Sequence, residues 1–242
     1  MLIAANWKMN GTLDQLQSWM AGLKNDVGHD LVLFPPYHLL SAIKENDLFS
    51  FGGQDFYPKD AGALTGAVSG VMLQGVGAQW AIVGHSERRE LFGDDNDVVY
   101  QKYHYAHSVG LKPILCVGES LETRQNHSAE TFVVDQIKSA LKNLPKQEDP
   151  LIIAYEPIWA IGSGLVPDDD AIERMHTVIH QYVTEQGFHV KVLYGGSVKP
   201  SNVAALSSIP YVDGFLVGGA SLKIKDFNEV IRLCKMSSHS ST

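Results

Sequence analysis

Four polar residues in this chain stand directly after, or at the end of, short apolar runs: Asn6 and Lys8 at the end of Leu2–Trp7, His85 after Trp80–Val83, and Glu156 after Leu151–Tyr155. Glycine pairs follow two further runs, in YGGSV (Tyr194–Val198) and LVGGASL (Leu216–Leu222). A carboxylate, a cation, a neutral hydrogen-bond donor and glycine loops together suit proton abstraction next to the carbonyl of a phosphorylated substrate. The glutamate removes the proton, and Lys8, Asn6 and His85 stabilise the charge that develops on the enediolate oxygens. Glycine lets backbone N–H groups approach a phosphate closely, so an anion can be held without a basic patch.

Each of these residues also has a plain structural reading. Lys8 alone is an ordinary surface lysine after a strand, and His85 alone is a helix cap. Glu156 could pair with Arg124 or Lys191, and either glycine pair could be a tight turn. The chemical reading rests on their convergence at the ends of strands.

The elements that must bring them together are legible in the hydrophobic pattern. Eight short β-like runs recur at Leu2–Trp7, Asp30–Phe34, Leu48–Gly52, Trp80–Val83, Lys112–Val117, Leu151–Tyr155, Lys191–Tyr194 and Gly214–Val217. Amphipathic stretches lie between them at Leu13–Leu23, Val98–Val109, Thr131–Leu144, Ala171–Gln186 and Phe227–Lys235. Asp168, Asp169 and Asp170 after Pro167 mark a helix start, because acids favour the positive end of the helix dipole. Apolar strands alternating with helices predict a parallel sheet covered by helices, and eight repeats predict an α/β fold of the (β/α)8 barrel type. Such a barrel carries its site on the loops that follow the strands. A doubly wound sheet is the alternative, but no G-x-G-x-x-G follows the first run. Residues 1–236 are expected to form one domain, and the SSHSST end, 237–242, to be disordered.

The formal net charge of −8 excludes the basic footprint that nucleic acid or an anionic membrane demands. Cys116 and Cys234, the only cysteines, are too few for a disulfide framework and point to a reducing, cytoplasmic setting. The chain starts without a basic leader, and no apolar run reaches the roughly 18 residues of a membrane span. His104/His107 and His176/His180 have helical spacing without a third metal ligand, which suits solvated or interface histidines.

Six stretches carry a resemblance to a known family: NWKMNG (Asn6–Gly11), GHSERR (Gly84–Arg89), CVGESLETR (Cys116–Arg124), AYEPIWAIGSG (Ala154–Gly164), YGGSV and DGFLVGGASL (Asp213–Leu222). In this order they resemble the triosephosphate isomerases, the family that gave the TIM barrel its name. The resemblance implies interconversion of dihydroxyacetone phosphate and glyceraldehyde 3-phosphate in glycolysis and gluconeogenesis, with Glu156 as base and His85 as neutral electrophile, a division of labour established for the family. It further implies that Asn6 and Lys8 hold substrate oxygens and the phosphate side, that Glu87 orients Lys8, and that Gly162, Ser197, Gly218 and Gly219 offer N–H groups to the phosphate. Pro157, Ile158 and Trp159 become the hinge of a lid and Ala160, Ile161 and Gly162 its tip, continued by Ser163 and Gly164, with Tyr194 and Ser197 latching it closed. No metal or organic cofactor is implied. A homodimer is, with Thr65 at the tip of a loop that enters the partner.

The sequence departs from the family's usual pattern in several places. Ser163 replaces threonine in the lid, and Pro167 stiffens its exit. Ala67 replaces a glutamate that in the family usually pairs with an arginine across the subunit interface, so Arg88 must find another acid or water. Asp94 replaces a glutamate near the same contact. Two other functions compete with the isomerase reading: a Schiff-base aldolase acting through Lys8, and a phosphate-binding barrel without catalysis.

Overall fold

In the computed structural model, which describes residues 1–44, 46–160 and 167–234, the apolar runs become strands β1 (Leu2–Asn6), β2 (Asp30–Phe34), β3 (Ser50–Gly53), β4 (Trp80–Val83), β5 (Lys112–Val117), β6 (Leu151–Tyr155), β7 (Val190–Tyr194) and β8 (Gly214–Val217). They pair in parallel in chain order, and β8 returns to β1 to close a barrel. The expected (β/α)8 barrel is therefore the observed fold. The third strand starts two residues later than expected. The Asn46 side-chain oxygen accepts the N–H groups of Leu48 and Phe49, which keeps them in the preceding turn.

Between the strands lie α1 (Leu13–Gly22), α2 (Tyr37–Leu40), α3 (Gly70–Gly75), α4 (Ser86–Phe92), α5 (Asn96–Ser108), α6 (Leu121–Gln125), α7 (Ala129–Leu141), α8 (Asp169–Glu185), α9 (Val203–Leu206) and α10 (Ile224–Leu233). The short ones, α2, α3, α6 and α9, have too few turns to show a helical period in the sequence. Asp168 caps α8 by accepting the Ala171 N–H, with Asp169 and Asp170 in its first turn, so the helix begins two residues before the expected Ala171.

Alternation along the strands sorts the apolar residues into two cores. Leu2, Ala4, Phe34, Ile114, Cys116, Ile152 and Ala154 belong to a set inside the barrel, and Ile3, Ala5, Leu115, Ile153 and Tyr155 belong to the larger set that packs under the helices. The inward series on β6 is Ile152, Ala154 and then Glu156, so strand parity carries the glutamate to the open end of the interior. The same parity on β1 runs Leu2, Ala4, Asn6.

A four-charge cluster braces the loop after β3. Lys102 on α5, only 3% exposed, holds Asp55 and Asp94 at 2.6 Å each, and Arg88 on α4 reaches Asp55 at 3.1 Å and Asp94 at 3.5 Å. Burial pushes the Asp55 carboxyl up, against the pull of Lys102. Removing one member leaves buried charge uncompensated, so Lys102→Met should destabilise the protein by about 3–5 kcal/mol. Urea unfolding measures this, and a change below about 1 kcal/mol would show that the cluster relaxes into solvent.

Among the described residues no helix is long and apolar enough to cross a membrane, and no group of three or more His, Cys, Asp or Glu could hold a metal ion. Residues 161–166 of the lid stretch and the SSHSST end lie outside the described residues.

Candidate active site

The barrel's register places the base. Val117 pairs with Tyr155, and Tyr155 with Tyr194, so Gly118, Glu156 and Gly195 follow side by side at the strand ends. Glu156 N–H donates to Val117 O and Gly195 N–H to Tyr155 O, both at 2.8 Å, which extends the ladder one step past the strands. A Cβ on Gly118 would lie 1.8 Å from the Glu156 carbonyl oxygen, and one on Gly195 would lie 3.0 Å from Glu156 Cγ. Glycine on both flanks is the condition for a glutamate in this row.

The Glu156 carboxylate is 2% exposed and has two partners. Oε2 accepts the backbone N–H of Ser86 at 2.9 Å, and Oε1 lies 3.0 Å from His85 Nε2. His85 follows Gly84, whose φ of 72° breaks the β4 parity and turns the imidazole inward. His85 is also the cap residue of α4, with Nδ1 accepting the Glu87 N–H at 3.2 Å. A ring that accepts at Nδ1 carries its proton on Nε2, so the imidazole is a donor toward Glu156 and toward anything that takes its place. The cap reading and the chemical reading of His85 are one arrangement.

Glu156 does not pair with Arg124 or Lys191. Arg124 binds Glu119 Oε1 at 3.2 Å, and Lys191 sits at the start of β7, lining a hollow of about 1380 Å³ at the far end of the barrel, where none of the four reacting residues is found. Lys8 Nζ meets Glu87 Oε1 at 2.6 Å, the partner expected for it. This ion-paired ammonium is not the desolvated amine that a Schiff base needs. Asn6 is buried, and its Oδ1 accepts the Lys8 N–H at 2.9 Å.

Asn6, Lys8, His85, Glu156, Ser197, Gly218 and Gly219 all line one cavity of about 660 Å³. Tyr194 is buried on β7, its hydroxyl where a Cβ on Gly196 would lie 2.3 Å away. Burial, and Asp169 second, push the Tyr194 phenol up to about 12. Pro157 and the 3-10 turn Ile158–Ala160 follow the base, while Ile161, Gly162, Ser163 and Gly164 lie outside the described residues.

Three contributors to this region carried no role in the sequence reading. Glu119, fully buried, accepts on Oε1 from Tyr155 OH at 3.1 Å, Trp159 Nε1 at 2.8 Å and Arg124. Its place two residues after β5 is the signal that the sequence offers. Cys116 lies below Glu156, and burial, with the carboxylate second, drives its thiol well above the ordinary range, which makes it packing and not a nucleophile. The third is the Ser86 N–H, invisible to side-chain reading because it is backbone.

His176 corrects the expectation of a solvated or interface histidine. It is completely buried, 6.0 Å from the Tyr155 ring and 6.4 Å from that of Tyr194, and Nδ1 meets Tyr211 O at 2.9 Å. Burial lowers its pKa to about 4 from the ordinary 6.5, so the folded state refuses a proton that the unfolded chain accepts. Its contribution is fully present above pH 6.5 and is lost as pH falls toward 4. The linkage amounts to about 2 kcal/mol between pH 7 and 5, which His176→Gln should remove from the pH slope of urea unfolding. An unchanged slope would refute this.

Comparison with known proteins follows the same lines. A family model described as triosephosphate isomerase matches residues 1–234. The chain belongs to the triosephosphate isomerase family. It is 42% identical to the triosephosphate isomerase of a Bradyrhizobium species, covering 96% of this chain and 97% of that one. It is 40% identical to that of Cytophaga hutchinsonii, over 96% and 98%, and 38% identical to that of Lawsonia intracellularis, over 95% and 96%. Arg88 pairs with Asp55 and Asp94 of its own chain. Asp94 sits within the ion cluster that Lys102 and Arg88 form with Asp55.

Proposed function

We propose that this protein interconverts dihydroxyacetone phosphate and D-glyceraldehyde 3-phosphate through an enediolate, as a single (β/α)8 domain over residues 1-236. The observation that carries the mechanism is the buried Glu156 carboxylate 3.0 Å from His85 Nε2, in a cavity shared with Lys8 and the glycine loops. Substrate displaces the carboxylate from the Ser86 N–H and frees it to take the proton from one carbon and return it to the next. His85 donates its Nε2 proton's hydrogen bond to the developing oxyanion, Asn6 and Lys8 hold the substrate oxygens, and Glu87 keeps Lys8 aimed. Backbone N–H groups of Gly162, Ser197, Gly218 and Gly219 grip the phosphate. The lid from Pro157 to Gly164 excludes water when it closes, latched by Tyr194 and Ser197. No electrons leave the substrate, so the reaction needs no redox cofactor, and charge is stabilised by side chains instead of a metal.

The active form is a cytoplasmic homodimer. Tyr37, whose hydroxyl donates to Asp55 O, and Phe92, which lies against the Arg88 guanidinium, are exposed beside the loop that carries Thr65, and Met9 is 95% exposed. With Arg88 paired within its own chain, the interface has a different polar contact from the family's usual one. Sedimentation should give a particle of two chains; a single-chain particle at assay concentrations refutes it. The isomerase reading is tested by a dehydrogenase-coupled assay of glyceraldehyde 3-phosphate formation. Turnover in the 1–10³ s⁻¹ range typical of enzymes, roughly, is expected, and rates no higher than those of a Glu156→Gln preparation would overturn it.

A further inference from the structure

We infer that Gln54 is a positioning residue that holds Lys8 in register with the reacting groups, an inference that rests on the isomerase reading above. Lys8 has a φ of 53°, a backbone that residues with a side chain seldom adopt, and it is the only site residue in that conformation among those described. Something must hold it there. On the amino side its N–H is held by Asn6 Oδ1 at 2.9 Å. On the carbonyl side, Gln54 Nε2, one residue past β3, donates to Lys8 O at 2.8 Å and to Phe34 O at 2.9 Å.

That pair of contacts is specific to an amide. Both acceptors are carbonyls, which fixes the orientation of the side chain with its nitrogen toward them, and the two hydrogens of one NH₂ group are both used. Phe34 O also accepts the Trp7 N–H at 3.1 Å, so Gln54 ties the ends of β1, β2 and β3 at the residue before the ammonium-bearing one. Lys8 then runs past Gly218, where a Cβ would lie 3.5 Å from its Cε, to Glu87. A change in the Lys8 peptide re-aims the ammonium along this path. Gln54 itself does not line the cavity and acts only through Lys8.

The test is a double-mutant cycle with Lys8→Ala. Gln54→Leu keeps the size and removes both donors, and a misplacement of about 1 Å at the ammonium should lower kcat/KM by roughly 10- to 100-fold. In the Lys8→Ala background the same substitution should cost less than about twofold, because its only route to the reaction is gone. A purely structural role would give losses that multiply, and that result overturns the inference. If Gln54→Leu does not fold, Gln54→Glu, equally long and without donors when ionised, runs the same cycle with the same criteria. Unchanged kcat/KM in folded Gln54 variants also overturns it. Absence of turnover in the unsubstituted protein overturns the isomerase reading and this inference together, whereas turnover with multiplying losses overturns this inference alone.

Discussion

Replacing Glu156 with glutamine should lower kcat by about 10²–10⁴-fold, the range typical for losing a positioned general base, while leaving KM within a few-fold. The side chain keeps its shape, and the amide oxygen can still accept from Ser86 N–H. It cannot satisfy both neighbours, since Ser86 N–H and His85 Nε2–H are both donors and an amide offers one oxygen. The His85 ring cannot readily switch tautomer to adapt, because Nδ1 is committed to the Glu87 N–H. The loss therefore falls on the chemical step, not on substrate affinity. Steady-state kinetics in the coupled assay, on preparations made identically to control for host isomerase, decide the matter. A variant within tenfold of the unsubstituted rate would remove Glu156 from the role of base.

The second large effect is expected at a residue that touches no substrate. Gly118→Ala puts a methyl group 1.8 Å from the Glu156 carbonyl oxygen, well inside any tolerable contact, so one of two adjacent strands must shift. Overpacking of this kind costs about 1–3 kcal/mol of stability. Displacing the base by about 1 Å costs roughly 10² in rate. Both losses should appear together, as a lower urea midpoint and a lower kcat. Gly75→Ala is the control: it lies at the end of α3 with nothing within 4 Å of its Cβ position, and it should leave both unchanged. A Gly118→Ala protein with normal turnover would mean that the barrel rim yields more easily than its backbone pairing implies.

The barrel was readable from the chain because each strand is a short apolar run bounded by turn residues, and β2, β4, β5, β6 and β8 have the bounds the pattern predicts. The short helices α2, α3, α6 and α9 were not, since a helix of four to six residues spans too few turns to show a period. At the site, side chains at strand ends could be named from type and parity: Asn6, Lys8 and Glu156 all gather in one cavity with His85. What parity could not supply was contact made by backbone or by residues far along the chain. The Ser86 N–H on Glu156, the donors from β6 and its turn on Glu119, and Asp55 as partner of Arg88 depend on how strands three to six sit in register. No local pattern encodes those pairs. His176 shows the opposite failure, where helical spacing suggested solvent and the amphipathic face of α8 put the ring against the barrel.

The inner core of the barrel ends where the chemistry begins: Ile152 and Ala154 lead to Glu156, and Ile114 and Cys116 lead to Gly118 beside it. The floor of the cavity is thus the top layer of the packing, and a change of volume at Cys116 or Ala154 moves the base as surely as a change at the base itself. Over evolutionary time such positions answer to two selections at once. Drift should accumulate instead beneath the helices, where Ile153 and Leu115 can trade volume with their neighbours unseen by the substrate.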